Sequence, residues 1–203
     1  MTKKQNNDRK DGGIPQFLLS LQEEIAVMGI KRILLSFFLL AVSLAASAKV
    51  DYDSIVAKYH PDMTEGMIYI DKQELMLTLF SPDGKVLAEF PVACGKNIGQ
   101  KQKSGDFKTP EGMFHISQIQ DASQWGHDFN DGKGFIRHAY GPWFMRLDTG
   151  RHKGIGIHGT HAPESIGTRA TEGCIRLRNE DLEQLHSLVK VGTTVIITPD
   201  AER

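Results

Sequence analysis

From Met67 onward the chain is written in short runs with a period of two, each closed by a turn. Glu74-Leu75-Met76-Leu77-Thr78-Leu79-Phe80 alternates, which puts Leu75, Leu77 and Leu79 on one face of a strand. Ser81-Pro82-Asp83-Gly84 follows. Proline presets φ there and glycine accepts a positive φ, so the turn closes a hairpin whose second arm is expected from Val86 to Ala93. Met67 to Ile70, Met113 to Ile116, Trp143 to Leu147, Gly154 to His158 and Thr193 to Ile197 read as further strands. Helical spacing is confined to two stretches. Asp51 to His60 is a weak one, with Ile55, Val56 and Tyr59 on one face and Asp53 or Ser54 as cap. Asn179 to Val189 is the other, with Leu182, Leu185, Leu188 and Val189 apolar. Short, frequent strands with so little helix predict a mostly β, single-domain, sandwich-like fold with one or two short helices.

The first 48 residues do not read as part of that fold. Lys31-Arg32 precede an apolar run from Ile33 to Ala45, and Ala46-Ser47-Ala48 supplies a small-x-small cleavage pattern. This predicts a signal peptide over 28–48, since the run is shorter than the ~20 residues a membrane helix needs. Residues 1–27 are polar and precede Met28, so they read as a non-structural leader, with translation expected to begin at Met28. The expected product is a protein exported to the periplasm or cell wall and not held in the membrane. Its organisation would be an N-terminal arm or short helix at 49–66 and a catalytic domain at 67–203. Residues 49–203 carry 18 Lys and Arg against 21 Asp and Glu. Nucleic-acid binders usually show a basic excess, so this balance argues against one.

The chemistry concentrates in Thr171-Glu172-Gly173-Cys174-Ile175-Arg176-Leu177, sixteen residues after His158-Gly159. A cysteine in a glycine turn, with a histidine upstream and an arginine two residues on, reads as a nucleophile, a base and an anion anchor. Glycine lets backbone N–H groups face a developing oxyanion. Each residue also has a bland reading. Cys174 could be a buried structural thiol, His158 a core histidine at a strand end, and Arg176 half of a structural ion pair. The other cysteine, Cys94, ends an apolar run and reads as buried and inert. A Cys94–Cys174 disulfide would silence the nucleophile and is not expected. His152, His158 and His161 can be drawn as metal ligands, but their spacing lacks a helix-borne ligand pattern. No metal and no cofactor is therefore expected. Asp121 to Tyr140 is a long irregular insertion of the kind that often forms a functional lid.

Ile155-Gly156-Ile157-His158-Gly159-Thr160, Ser165-Ile166-Gly167 and Thr171-Glu172-Gly173-Cys174-Ile175-Arg176-Leu177 together resemble the catalytic signature of the L,D-transpeptidases (YkuD-type domains). Upstream, Met67 to Leu75, Gly105-Asp106-Phe107-Lys108-Thr109-Pro110-Glu111-Gly112-Met113-Phe114 and Gly141-Pro142-Trp143-Phe144-Met145-Arg146-Leu147 fit the same family. The resemblance runs from about Met67 to Ile197. It implies a sheet pair with the cysteine beside the C-terminal-half helix. It also implies Cys174 as nucleophile, His158 as base, and the Gly159 carbonyl orienting the imidazole. The N–H groups of Glu172, Gly173 and Cys174 would be the oxyanion donors, and Arg176 and Thr171 would contact substrate.

The implied reaction joins peptidoglycan stem peptides, a donor tetrapeptide and an acceptor stem, by 3→3 cross-links through a thioester. The alternatives are an L,D-carboxypeptidase trimming tetrapeptides and a catalytically idle wall-binding module. A monomer and carbapenem acylation of Cys174 are implied as well. One position departs from the pattern: Glu172 stands where the family often has histidine. Its carboxylate could oppose thiolate formation, face solvent, pair with a lysine or accept a hydrogen bond from an acceptor's amine. The sequence leaves these open.

Overall fold

The computed structural model describes residues 51–62 and 64–200. The leader at 1–27 and the signal peptide at 28–48 lie outside the described residues. Helix α1 (Tyr52–Tyr59) falls within the arm expected at 49–66 and buries Ile55. Its N-cap is Asp51, two positions upstream of the nearer expected cap, Asp53, and Ser54 donates to the Asp51 carboxylate at 2.5 Å. No helix among the described residues is long and apolar enough to cross a membrane.

The strands that follow are β1 (Met67–Asp71), β2 (Met76–Phe80), β3 (Val86–Pro91), the short β4 (Cys94–Gly95) and the long β5 (Gly112–Asp121). Next come β6 (His127–Asp128), β7 (Phe135–Ile136), β8 (Trp143–Leu147), β9 (Gly156–His158), β10 (Arg169–Thr171) and β11 (Ile175–Arg176). Helix α2 (Asn179–Leu188) and β12 (Thr194–Ile197) complete the chain. The alternating run begins later than expected because Leu75 turns to φ 53° and the Asp71 carboxylate caps the N–H groups of Gln73 and Glu74. The residues of β2 from Leu77 to Phe80 are all buried, so this strand is covered on both faces rather than one.

Eight strands form one sheet in the order β11-β9-β8-β5-β12-β1-β2-β3. Strand β5 is more than twice the length its apolar core suggests, because it serves two partners. Its first half pairs with β12 and its second half with β8, with a register shift between Ile116 and Gln118. A bulge adds twist, and here it lets the sheet curl. The expected mostly β fold with short helices is present, with its main sheet curled. Strand β12 runs between β1 and β5 and is buried throughout. The core joins Ile68, Ile70, Leu77, Ile116 and Val195 to Met145, Ile157, Leu177, Leu182 and Leu185, so α2 packs its apolar stripe on the β8–β11 end. At ~25 cal/mol per Å² of apolar area, this burial is the main stabilising term.

The parallel pair β4 and β10 is tied to the main sheet by the Ala93–Arg176 bridge. A buried ion cluster fastens the loops behind it. Lys72 is 1% exposed, and its ammonium meets Glu111 at 2.6 Å and Asp200 at 2.8 Å. Arg169 also binds Asp200. The insertion at Asp121 to Tyr140 is not irregular throughout. Strands β6 and β7 make a small hairpin, pairing His127 with Ile136. Its base is anchored by Ala122 N–H to Pro142 O and Ala139 N–H to Trp125 O.

Candidate active site

Strand register brings the predicted residues together. Strands β9 and β11 are parallel, with Arg176 opposite His158 and Ile175 opposite Ile157. Side chains alternate along a strand, so Cys174 and Arg176 face the same side as Gly156 and His158. Phe144 of β8 lies opposite His158 on that side and stacks on its ring at 5.6 Å and 7°. Tyr140 meets the same imidazole edge-on at 4.9 Å.

His158 is buried, and its Nδ1 lies 2.6 Å from the Gly159 carbonyl. A carbonyl can only accept, so Nδ1 carries the proton and Nε2 holds the lone pair. A side chain at Gly159 would collide with Asn179 Oδ1, which accepts the Thr160 N–H at 2.7 Å. Burial, then the Arg176 charge, lowers the imidazole pKa to about 3 against the pull of the Gly159 hydrogen bond. Burial raises the Cys174 thiol to about 11, opposed by the Gly156 N–H and the Arg176 charge. The thiol donates to the Gly154 carbonyl at 3.4 Å. Among the described residues no hydrogen bond joins it to His158.

The turn before Cys174 is locked from within. Thr171 Oγ1 donates to the Cys174 carbonyl at 2.6 Å and accepts the Gly173 N–H at 3.1 Å. Thr171 is 2% exposed, and its hydroxyl shapes the turn. The Gly173 N–H, one of the three expected oxyanion donors, is the one that this hydroxyl accepts. Gly173 has φ 134°, and a Cβ there would sit 2.7 Å from the Lys108 carbonyl.

Arg176 is 5% exposed and has no carboxylate partner among the described residues. Its Nη1 donates to Ser165 Oγ at 2.9 Å, its Cζ lies 5.9 Å from the Phe129 ring, and its Nε has no acceptor among the described residues. The structural ion pair considered for it does not form among the described residues. Desolvation lowers its pKa, opposed chiefly by Cys174. Glu172 is half-exposed and pairs with a histidine rather than a lysine. Its Oε2 is 3.3 Å from His127 Nε2 of the β6–β7 hairpin.

Cys174, Glu172, His127, Tyr140 and Lys101 line one cavity of about 560 Å³. A second, of about 370 Å³, meets it at Tyr140 and Gly154 and includes Trp125, Phe144 and Arg146. The wall of the first is a loop held by Asp106. Burial opposes ionisation of that carboxyl, yet Lys101 at 2.7 Å and the N–H groups of Lys103, Gln102 and Lys108 hold it well below the usual range. Sequence reading passed over Lys101, Tyr140, His127 and Phe129. The only local signal was the aromatic density of the insertion and the Gly105-Asp106 segment beside Lys101. His161 is exposed and lies 5.4 Å from the Phe129 ring. His152 accepts from Arg151 at 3.3 Å. Among the described residues no three His, Cys, Asp or Glu side chains are grouped to hold a metal ion. Both cysteines are free, and burial pushes the Cys94 thiol to about 12.

The family model for the L,D-transpeptidase catalytic domain (YkuD) matches residues 65–197. The chain is 33% identical over 140 residues to YkuD of Bacillus licheniformis, covering 69% of this chain and 70% of that protein. It is 56% identical over 146 residues to YbiS of Escherichia coli, covering 66% of this chain and 45% of that protein. It therefore spans about half the length of the Escherichia coli relative. The fold is similar to that of the helical cell shape determining protein Pgp2 of Campylobacter jejuni. The TM-score is 0.52 at 22% identity, over 68% of this chain and 48% of that one.

Proposed function

The chain belongs to the L,D-transpeptidase catalytic domain family, and on that premise we propose that it is an exported cysteine transpeptidase forming 3→3 cross-links between peptidoglycan stem peptides. The observation that carries this reading is Arg176. A buried guanidinium without a carboxylate is costly, by several kcal/mol in most proteins. Nε, without an acceptor among the described residues, leaves its donor fork partly open. A substrate carboxylate beside Cys174 completes the fork, and stem peptides are rich in carboxylates. The domain would begin near residue 67, preceded by the arm at 49–66 and the removed segment at 28–48.

Catalysis starts from neutral partners. The thiol turns from the Gly154 carbonyl toward the scissile amide, between the L-centre of diaminopimelate and the terminal D-alanine. His158 Nε2 takes the thiol proton as sulfur bonds to carbon, because neither free thiolate nor free imidazolium is favoured in this buried setting. The N–H groups of Glu172, Gly173 and Cys174 receive the oxyanion. His158 then hands the proton to the departing D-alanine amine. The thioester is resolved by a side-chain amine of the acceptor stem. If water resolves it instead, the product is a tripeptide and the enzyme is an L,D-carboxypeptidase.

The test is muropeptide analysis by mass spectrometry after incubating the purified protein with disaccharide tetrapeptide. The expected result is release of D-alanine with a 3→3 linked dimer. Tripeptide alone would replace the transpeptidase reading with the carboxypeptidase one. Unchanged substrate would leave a wall-binding module.

A further inference from the structure

Resolving a thioester with an amine requires the removal of two protons. The acceptor side chain arrives as R–NH3+. One proton must leave before nitrogen has a lone pair to attack with, and a second leaves as the amide forms. His158 suits only the second. It is buried beside Arg176 and its proton belongs to the sulfur that must depart. The first proton needs a base at the cavity mouth with a route to water.

His127 meets that need. Its side chain is 33% exposed and lines the cavity that holds Cys174. Its Nε2 faces the Glu172 carboxylate at 3.3 Å. A carboxylate accepts, so Nε2 carries the hydrogen and Nδ1 holds the lone pair, with no hydrogen-bond partner among the described residues. Edge-on packing by Phe129 at 4.5 Å and Tyr140 at 5.9 Å fixes the ring. Of the other groups lining the cavity, Glu172 already faces His127 Nε2. Lys101, Arg151 and Lys153 are cations, and the Tyr140 phenol is raised to about 12 by burial and the neighbouring Cys174 and Glu172. His152 Nε2 is taken by Arg151.

We propose that His127 is the base that takes the first proton from the acceptor's alkyl ammonium, and that Glu172 is the residue positioning it. The proposal rests on the transpeptidase reading and names the chemistry of its second substrate. An N–H bond of R–NH3+ breaks, and the proton bonds to His127 Nδ1. Glu172 stabilises the imidazolium, which releases the proton to water. The free amine bonds to the acyl carbon, and its second proton passes through His158 to the Cys174 sulfur as the C–S bond breaks. Glu172 at the family's histidine position then has a purpose, for it orients an imidazole supplied by the hairpin.

The test loads the protein with a tetrapeptide donor at pH 7. The acyl-enzyme is challenged with diaminopimelate, whose side-chain amine is protonated, or with hydroxylamine, which is largely unprotonated. In His127→Gln, aminolysis by diaminopimelate relative to hydrolysis should fall about 10²-fold, a usual general-base contribution. Hydroxylamine should lose far less. Glu172→Gln should show the same selectivity with a smaller loss, and it serves if His127→Gln does not fold. Equal losses for both nucleophiles, or no loss for either, would overturn the assignment. A wild-type protein that forms no acyl-enzyme would instead defeat the transpeptidase reading itself.

Discussion

The Gly159 carbonyl accepts the Nδ1–H of its own neighbour, His158, at 2.6 Å, in a turn packed too closely for a side chain at Gly159. A Cβ at this position would run into Asn179 Oδ1, the group that holds the Thr160 N–H. Gly159→Ala should therefore cost about 1–3 kcal/mol by overpacking. It should also slow acylation of Cys174 by turning the imidazole. Urea unfolding and the rate of carbapenem adduct formation check both. A variant with wild-type values in each would show that the close approach is not needed.

Burial of neutral His158 has a consequence for stability. Its folded pKa, about 3, lies below the ordinary value of 6.5. Below pH 6.5 the unfolded chain binds a proton that the folded chain refuses. Stability contributed by this site is complete above that pH and is lost as pH falls toward 3, at up to ~1.4 kcal/mol per pH unit. Unfolding free energies between pH 7 and 4 should fall more steeply for the wild type than for His158→Gln. Parallel slopes would contradict the burial of a neutral imidazole.

Arg176→Lys should not rescue the site. Lysine keeps the charge but loses the planar fork and the bond to Ser165 in its present geometry. The KM for donor tetrapeptide should rise about 10-fold or more, the scale of a lost charge-assisted hydrogen bond. Steady-state kinetics with Arg176→Lys and Arg176→Gln test this. An unchanged KM in both would assign Arg176 to structure alone.

Lys72 offers a prediction remote from the chemistry. Lys72→Met would leave Glu111 and Asp200 without their shared cation in a nearly closed site. Removing one partner of a buried ion pair typically costs ~3–5 kcal/mol. Urea midpoints of Lys72→Met and wild type give the answer, and a difference near zero would mean that water or Arg169 replaces the lysine.

The hairpin turn at Pro82-Asp83-Gly84, the strand ending at His158 and the helix from Asn179 were all readable, because each is set by neighbours in sequence. So was the Gly173-Cys174 turn. The full length of β5 was not, since its second half is polar and is held by pairing with β8 rather than by an apolar pattern. Lys72 looks like a surface residue of a turn and becomes buried only when Glu111 and Asp200 arrive from distant segments. The direction of the Thr171 hydroxyl and the His127–Glu172 contact, 45 residues apart, are likewise products of tertiary structure. A long insertion could be read as a lid, but nothing in its sequence says which of its side chains reaches the cysteine turn.

The central claim is that Cys174 is a nucleophile that His158 activates during attack. Mass spectrometry of the intact protein and its tryptic peptides after incubation with a carbapenem tests it most directly. One adduct on the Cys174 peptide, absent from Cys174→Ala and from His158→Gln and with Cys94 unlabelled, is the predicted result. A folded wild-type protein that acquires no adduct at Cys174 would contradict it.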